Sequence, residues 1–168
     1  MRKTAFDTKK TVTLSALIAV AMILSYVESL LPVFVAVPGV KMGLSNIATV
    51  FTLYTLGWPY ALCVSVVRVF LSGMLFGNPV GLIYSLSGTA FALLIMILLK
   101  KLDSFSSVGV SVAGGVCHNA GQIIAACIVM KTSGIALYFI PLVISGTISG
   151  VLIGLVAGML VERIKKFI

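Results

Sequence analysis

The chain has 168 residues, 60% of them hydrophobic and only 10% charged, with a formal net charge of +8. A soluble domain is about a quarter charged, so too few polar side chains are present to cover a water-facing surface. The positive charges sit between apolar runs and form no basic face with interleaved aromatics, which argues against nucleic acid as a partner. The expected class is an all-α membrane protein, a single transmembrane domain over residues 1–168 in a lipid bilayer.

The apolar runs, each near the length of helix that crosses a bilayer core, are taken in chain order. Segment one covers about 11–31. It is too long for a cleaved signal and has no small-residue cleavage site, so it is expected to remain as a helix. Pro32 and Pro38 then open a loop, PVFVAVPGVKMG. Segment two, about 44–56, is short for a span, and a re-entrant or tilted piece fits its length as well. Gly57-Trp58-Pro59 ends it. Segment three covers about 60–76 and stops at Gly77-Asn78-Pro79. Segment four covers about 80–99 and stops at Lys100-Lys101. Segments five and six cover about 108–130 and 135–161, with Pro141 near the start of the last.

Six spans put Arg2, Lys3, Lys9, Lys10, Lys100, Lys101, Arg163, Lys165 and Lys166 on one side, and Lys41 and Lys131 on the other. The positive-inside rule assigns the nine-residue side to the cytoplasm. The expectation is a multi-pass cell-membrane protein with both termini cytoplasmic. An odd count would place the C-terminal basic cluster outside.

Small residues recur every fourth position in segment six (Gly146, Gly150, Gly154, Gly158) and in segment five (Gly109, Ala113, Cys117, Gly121, Ala125). Four-residue spacing holds them on one helix face, where backbones can approach closely. The face serves either packing within the chain or docking on a partner membrane protein. Ser15 and Ala19 of segment one, with Ala21, Ser25 and Ser29, carry the same ambiguity. Cys63, Cys117 and Cys127 all fall in apolar runs without a CxxC and read as packing residues.

A polar side chain inside a bilayer is costly, so its position is informative. Arg68 falls mid-way along segment three, and His118 mid-way along segment five with Asn119 and Gln122 beyond it. Glu28, Lys41, Asn46, Asn78 and Tyr84 fall towards the same outer end. The inner halves hold little besides Ser and Thr. This asymmetry points to an outward-facing polar cavity over a closed, apolar inner half. Arg68, Lys41 and His118 suit an anionic group, a guanidinium making planar bidentate contacts. Asn46, Asn78, Asn119 and Gln122 suit neutral hydrogen bonds. Each has a structural alternative: an Arg68–Glu28 ion pair, interhelical bonding by His118 and Asn119, helix capping by Asn78, a solvated Lys41.

Catalytic chemistry is not expected. The four carboxylates, Asp7, Glu28, Asp103 and Glu162, are scattered, no Asp-rich motif occurs, and one histidine cannot build a metal site. No metal or other cofactor is expected. No GxxxxGK[ST] loop is present, so the chain does not hydrolyse ATP itself.

PGVKMGLSNI (38–47), the segment-three arginine with GMLFGNP (73–79), YSLSG (84–88) and CHNAGQ (117–122) resemble the Gx transporter family, also labelled heptaprenyl diphosphate synthase component I. That family in turn resembles the substrate-binding (S) components of energy-coupling factor transporters. The resemblance implies an S-component-like bundle of six helices with cytoplasmic termini. It also implies a small-molecule solute taken from the outer side, and a transmembrane coupling protein and ATPases as partners. The matching of Ser15, Ala19 and Ala21 to the small docking residues of such first helices is loose. The synthase label conflicts with the missing magnesium-binding aspartates, so it implies an accessory role at most. Uptake of a small anionic nutrient or isoprenoid-related precursor is the leading expectation. The alternative is an accessory subunit of a prenyl diphosphate synthase or redox system. An ion-coupled carrier acting alone would need inner-half polar residues that the sequence nearly lacks.

Overall fold

A computed structural model describes residues 8–30, 42–102 and 104–165. It consists of α1 (Thr8–Leu30), α2 (Asn46–Thr55), α3 (Trp58–Leu75), α4 (Pro79–Lys101), α5 (Ser107–Met130) and α6 (Phe139–Lys165). A 3-10 turn over Gly134–Tyr138 leads into α6, so the run expected as one helix from 135 starts as a tighter turn. There is no strand among the described residues. Lys41 and most of the proline loop, together with Asp7 and Asp103, lie outside them.

Local chemistry sets the helix ends. The Asn78 side chain accepts the Gly81 N–H at 2.7 Å, and Pro79 follows at the first helical position. The missing proline N–H costs nothing there. Ser106 caps α5 through the Gly109 N–H at 3.2 Å. Gly57, at φ +97°, turns the chain between α2 and α3 in a conformation that side chains resist. Lys131 ends α5 in the left-handed region, φ 51°, without being a glycine.

Among the described residues five helices, not six, are long and apolar enough to cross a membrane. The exception is α2, whose ten residues extend only about 15 Å against a core of about 30 Å. It nevertheless returns the chain to the far end. Residues 42–45 enter the bundle as non-helical backbone, and α2 begins inside. The Glu28 carboxylate accepts the Gly43 N–H, which satisfies a group that hydrocarbon would leave unpaired. At its other end the Leu53 carbonyl accepts from Lys100 Nζ at the C-terminus of α4, and that ammonium stands 5.1 Å from the Tyr54 ring centre.

The helices close a ring. α2 touches α3, α3 touches α4, α4 touches α5, α5 touches α6, and α6 returns to α2, with α1 packed outside on α2 and α3. The tightest seam is α5 against α6. A Cβ on Gly150 would stand 2.6 Å from Val112 Cα, one on Gly154 2.6 Å from Val108 Cα, and one on Gly158 2.6 Å from Ser107 Oγ. The segment-six stripe is therefore taken up within the chain. In the segment-five stripe, Gly121 does not face α6. Val108, Val112 and Gly115 do so, while Gly121 faces Ser87 and Gly88 of α4, where Ser87 Oγ donates to the Gly121 carbonyl at 2.9 Å. Ser15 and Ala19 are exposed on α1.

Nine buried residues, Val50, Leu53, Ala61, Ala92, Leu93, Met96, Val110, Ile153 and Ala157, make the main core. The outer circumference is greasy: Ile128 is 71% exposed, Ile140 68% and Met74 68%. Water would not tolerate such a surface, whereas lipid does.

Candidate functional site

Inside the ring is a cavity of about 470 Å³ to which all six helices contribute. That is room for on the order of fifteen water molecules and lies within the usual range for small-molecule sites. The residues facing it along α4 show its depth: Asn78, Gly81, Leu82, Ser85, Thr89, Ala92, Leu93 and Met96, at helical spacing. From Asn78 to Met96 is about 27 Å of helix. At the Asn78 end the lining residues Ser29, Phe76 and Gly77 are exposed, and this end is the mouth. At the other end Val50, Ala92, Leu93, Met96 and Ile153 are buried members of the core and form the floor.

Arg68 is the central group. Its Nη1 donates to Ser45 Oγ at 2.8 Å and its Nη2 to Asn46 Oδ1 at 3.1 Å, both at the start of α2. Its Nε is buried with no hydrogen-bond partner. Although Glu28 lines the same cavity, it makes no ion pair with Arg68 and instead holds Gly43. Neutral oxygens thus brace both Nη atoms of the guanidinium, while Nε, itself shielded, has no hydrogen-bond partner. Thr49 and Ser65, hydrogen-bonded to each other at 3.0 Å, lie beside it. Ser25 Oγ and Thr89 Oγ1, both lining the cavity, are buried without partners.

Seven of the nine residues expected in the site line this one cavity: Glu28, Asn46, Arg68, Asn78, His118, Asn119 and Gln122. Several have structural duties as well. Asn78 caps α4, and Asn119 Nδ2 donates to the Leu142 carbonyl of α6 at 2.6 Å. The ring of His118 and the Gln122 side chain pass so close to Gly88 that a Cβ there would collide with both. Lys41 lies outside the described residues. Tyr84 is not in the wall. It precedes Ser85, which faces the cavity, and one residue turns a helix by about 100°; its hydroxyl is buried elsewhere without a partner. The reading of the sequence passed over a hydroxyl lining from Ser25, Ser45, Thr49, Ser65, Ser72, Ser85, Thr89, Ser111 and Ser149. Ser and Thr are unremarkable in membrane helices, but the pairs Ser45/Thr49 and Ser85/Thr89 are four apart and Ser65/Ser72 seven apart, so each pair shares a helix face, and that periodicity was the available signal.

These features define a polytopic helical membrane protein built around a central polar cavity closed at one end by its apolar core. A family model described as heptaprenyl diphosphate synthase component I matches residues 17–160, and the chain belongs to that family. No curated protein and no solved structure matches it.

Proposed function

We propose that the chain is the solute-binding subunit of a membrane uptake system, capturing a small anionic solute from the outer side. The observation that carries this reading is the half-buried Arg68 guanidinium lining a cavity of about 470 Å³, with Nη1 and Nη2 held by the neutral oxygens of Ser45 and Asn46. Glu28, on the same wall, acts on the Arg68 charge from a distance without contacting it, and a bound anion supplies the contacting partner. In this reading both termini are cytoplasmic. Lys9, Lys10, Lys100, Lys101 and Arg163 lie at helix ends remote from the mouth, which favours that side for the cytoplasm. The energy comes from a partner coupling protein and ATPases, in line with the resemblance to S components. The test is mass spectrometry of small molecules released from the purified protein, with Arg68→Ala alongside. A ligand retained equally by the variant would sink the assignment of Arg68.

A second reading follows from the family description itself: an accessory subunit of a prenyl diphosphate synthase, without catalytic residues of its own. Among the described residues, no three of His, Cys, Asp and Glu converge, and Glu28 and Glu162 sit in different parts of the fold. Affinity capture in mild detergent separates the two readings, since coupling ATPases support uptake and a prenyl synthase supports the accessory role.

A further inference from the structure

Resting on the solute-binding reading, we propose that Glu28 is a positioning residue and not a ligand of the solute. Its carboxylate holds Gly43, and through Gly43 it sets the two oxygens that orient Arg68. The relay runs from α1 through the entry of α2 to α3.

Each link is a short one. Gly43 is bonded on both sides: its N–H donates to the Glu28 carboxylate, and its carbonyl accepts the Asn46 N–H at 2.8 Å. The Asn46 side chain also lies against it, since a Cβ on Gly43 would stand 3.2 Å from Asn46 Nδ2. Asn46 Oδ1 accepts from Arg68 Nη2 at 3.1 Å, and Ser45 Oγ accepts from Nη1 at 2.8 Å. Ser45 and Asn46 follow Gly43 within three residues, so a shift of Gly43 carries both oxygens with it.

Ser45 shows why the entry needs an anchor from α1. A serine just ahead of a helix ordinarily turns its oxygen onto the first helical N–H groups. Ser45 is buried, makes no such cap on α2, and gives its oxygen to Arg68 instead. The start of α2 thus lacks its usual side-chain tie, and the Glu28 carboxylate supplies one to Gly43. Glu28 makes no ion pair with Arg68, so it fixes the direction of the guanidinium without occupying it. An arginine has many rotamers, and one ordered before the solute arrives spares binding that cost.

The test reads Arg68 itself. Phenylglyoxal modifies unengaged guanidinium groups. Its rate at Arg68 is followed by mass spectrometry of digests from the washed full-length protein in nanodiscs, with the exposed Arg163 as reference. Three variants separate contact from charge. Glu28→Gln keeps an acceptor for the Gly43 N–H and loses the charge. Glu28→Asp keeps the charge but is one methylene too short. Glu28→Ala loses both. Glu28→Gln should react within about twofold of the wild type, and Glu28→Asp and Glu28→Ala about tenfold faster, the worth of one charge-assisted hydrogen bond. Co-purified solute, quantified after release, should follow the same order, retained by Glu28→Gln and largely lost by Glu28→Asp. A fast Glu28→Gln beside a slow Glu28→Asp overturns the relay, because charge and not contact then acts on Arg68. Equal rates in all four proteins, with only the Tm of Glu28→Ala lowered, make the bond to Gly43 purely structural and overturn it too. Glu28→Asp carries the comparison if Glu28→Ala fails to fold. The expected rates with equal solute in every protein also refute the positioning role. If the wild type releases no solute, the solute-binding reading falls, and the Arg68 rates still decide whether the relay exists.

Discussion

Replacing Gly150 and Gly154 together by alanine tests the α5–α6 seam. A Cβ at either position meets backbone, Val112 Cα and Val108 Cα respectively, at 2.6 Å, about 1 Å inside ordinary contact. Backbone cannot rotate away as a side chain can, so α6 has to retreat by roughly that distance. Forced overpacking costs about 1–3 kcal/mol per site, and alanine returns up to about 1 kcal/mol of helix propensity at each. The two sites share one seam, and the retreat forced by the first substitution relieves the second. The costs should therefore add to less than their sum, leaving a net loss of about 2 kcal/mol for the pair. At about 2–4 °C per kcal/mol for a chain of this size, Tm should fall by about 4–8 °C. A thermal melt in detergent reads this, with Gly134→Ala as control. Gly134 lies in the exposed 3-10 turn, where an added Cβ finds only Thr132 Oγ1 at 3.7 Å, so that variant should melt like the wild type. A double variant as stable as the wild type would refute the claim that these glycines exist for close approach.

Asn119→Ala removes the bond to the Leu142 carbonyl and should lower stability by about 0.6–1.5 kcal/mol, the range for interhelical bonds in membranes, read as a Tm shift of a few degrees. Asn78→Ala should cost about 1 kcal/mol through loss of the α4 cap, while Asn78→Asp should cost little, since a carboxylate caps as well and suits the helix N-terminus. Sidedness is checked with Lys131→Cys and Lys101→Cys in a background lacking Cys63, Cys117 and Cys127. A membrane-impermeant maleimide should label the first in intact cells and the second only after permeabilisation, and the reverse pattern would overturn the orientation.

The membrane class was legible in the sequence because it depends on local quantities. Run length, scarcity of charge and Pro/Gly punctuation need no knowledge of neighbours, and the long helices come within a few residues of where these signals put them. The polar residues were also individually conspicuous, since any ionisable or amide group within an apolar run stands out. The shortness of segment two was visible, but not its consequence. Only the fold shows residues 42–45 as non-helical backbone leading into α2, with the Gly43 N–H donated to Glu28. The partner of Arg68 was equally out of reach. A single sequence offers Glu28 as the natural counter-ion, yet the guanidinium is braced by Ser45 and Asn46, because the entry of α2 brings those oxygens to its level. The small-residue stripes show the same division. Four-residue spacing marks a face, while the identity of the helix covering it is a matter of how the ring closes: α6 uses its glycines on α5, and α5 meets α6 through Val108, Val112 and Gly115. Hydrophobic length and helix period are properties of one segment at a time, so sequence alone determined a helical membrane protein with one polar end. Which hydroxyls, carbonyls and charges meet across 20 or more intervening residues is decided by packing, and only the tertiary structure turned that polar end into a deep cavity with Arg68 held by Ser45 and Asn46 on its wall.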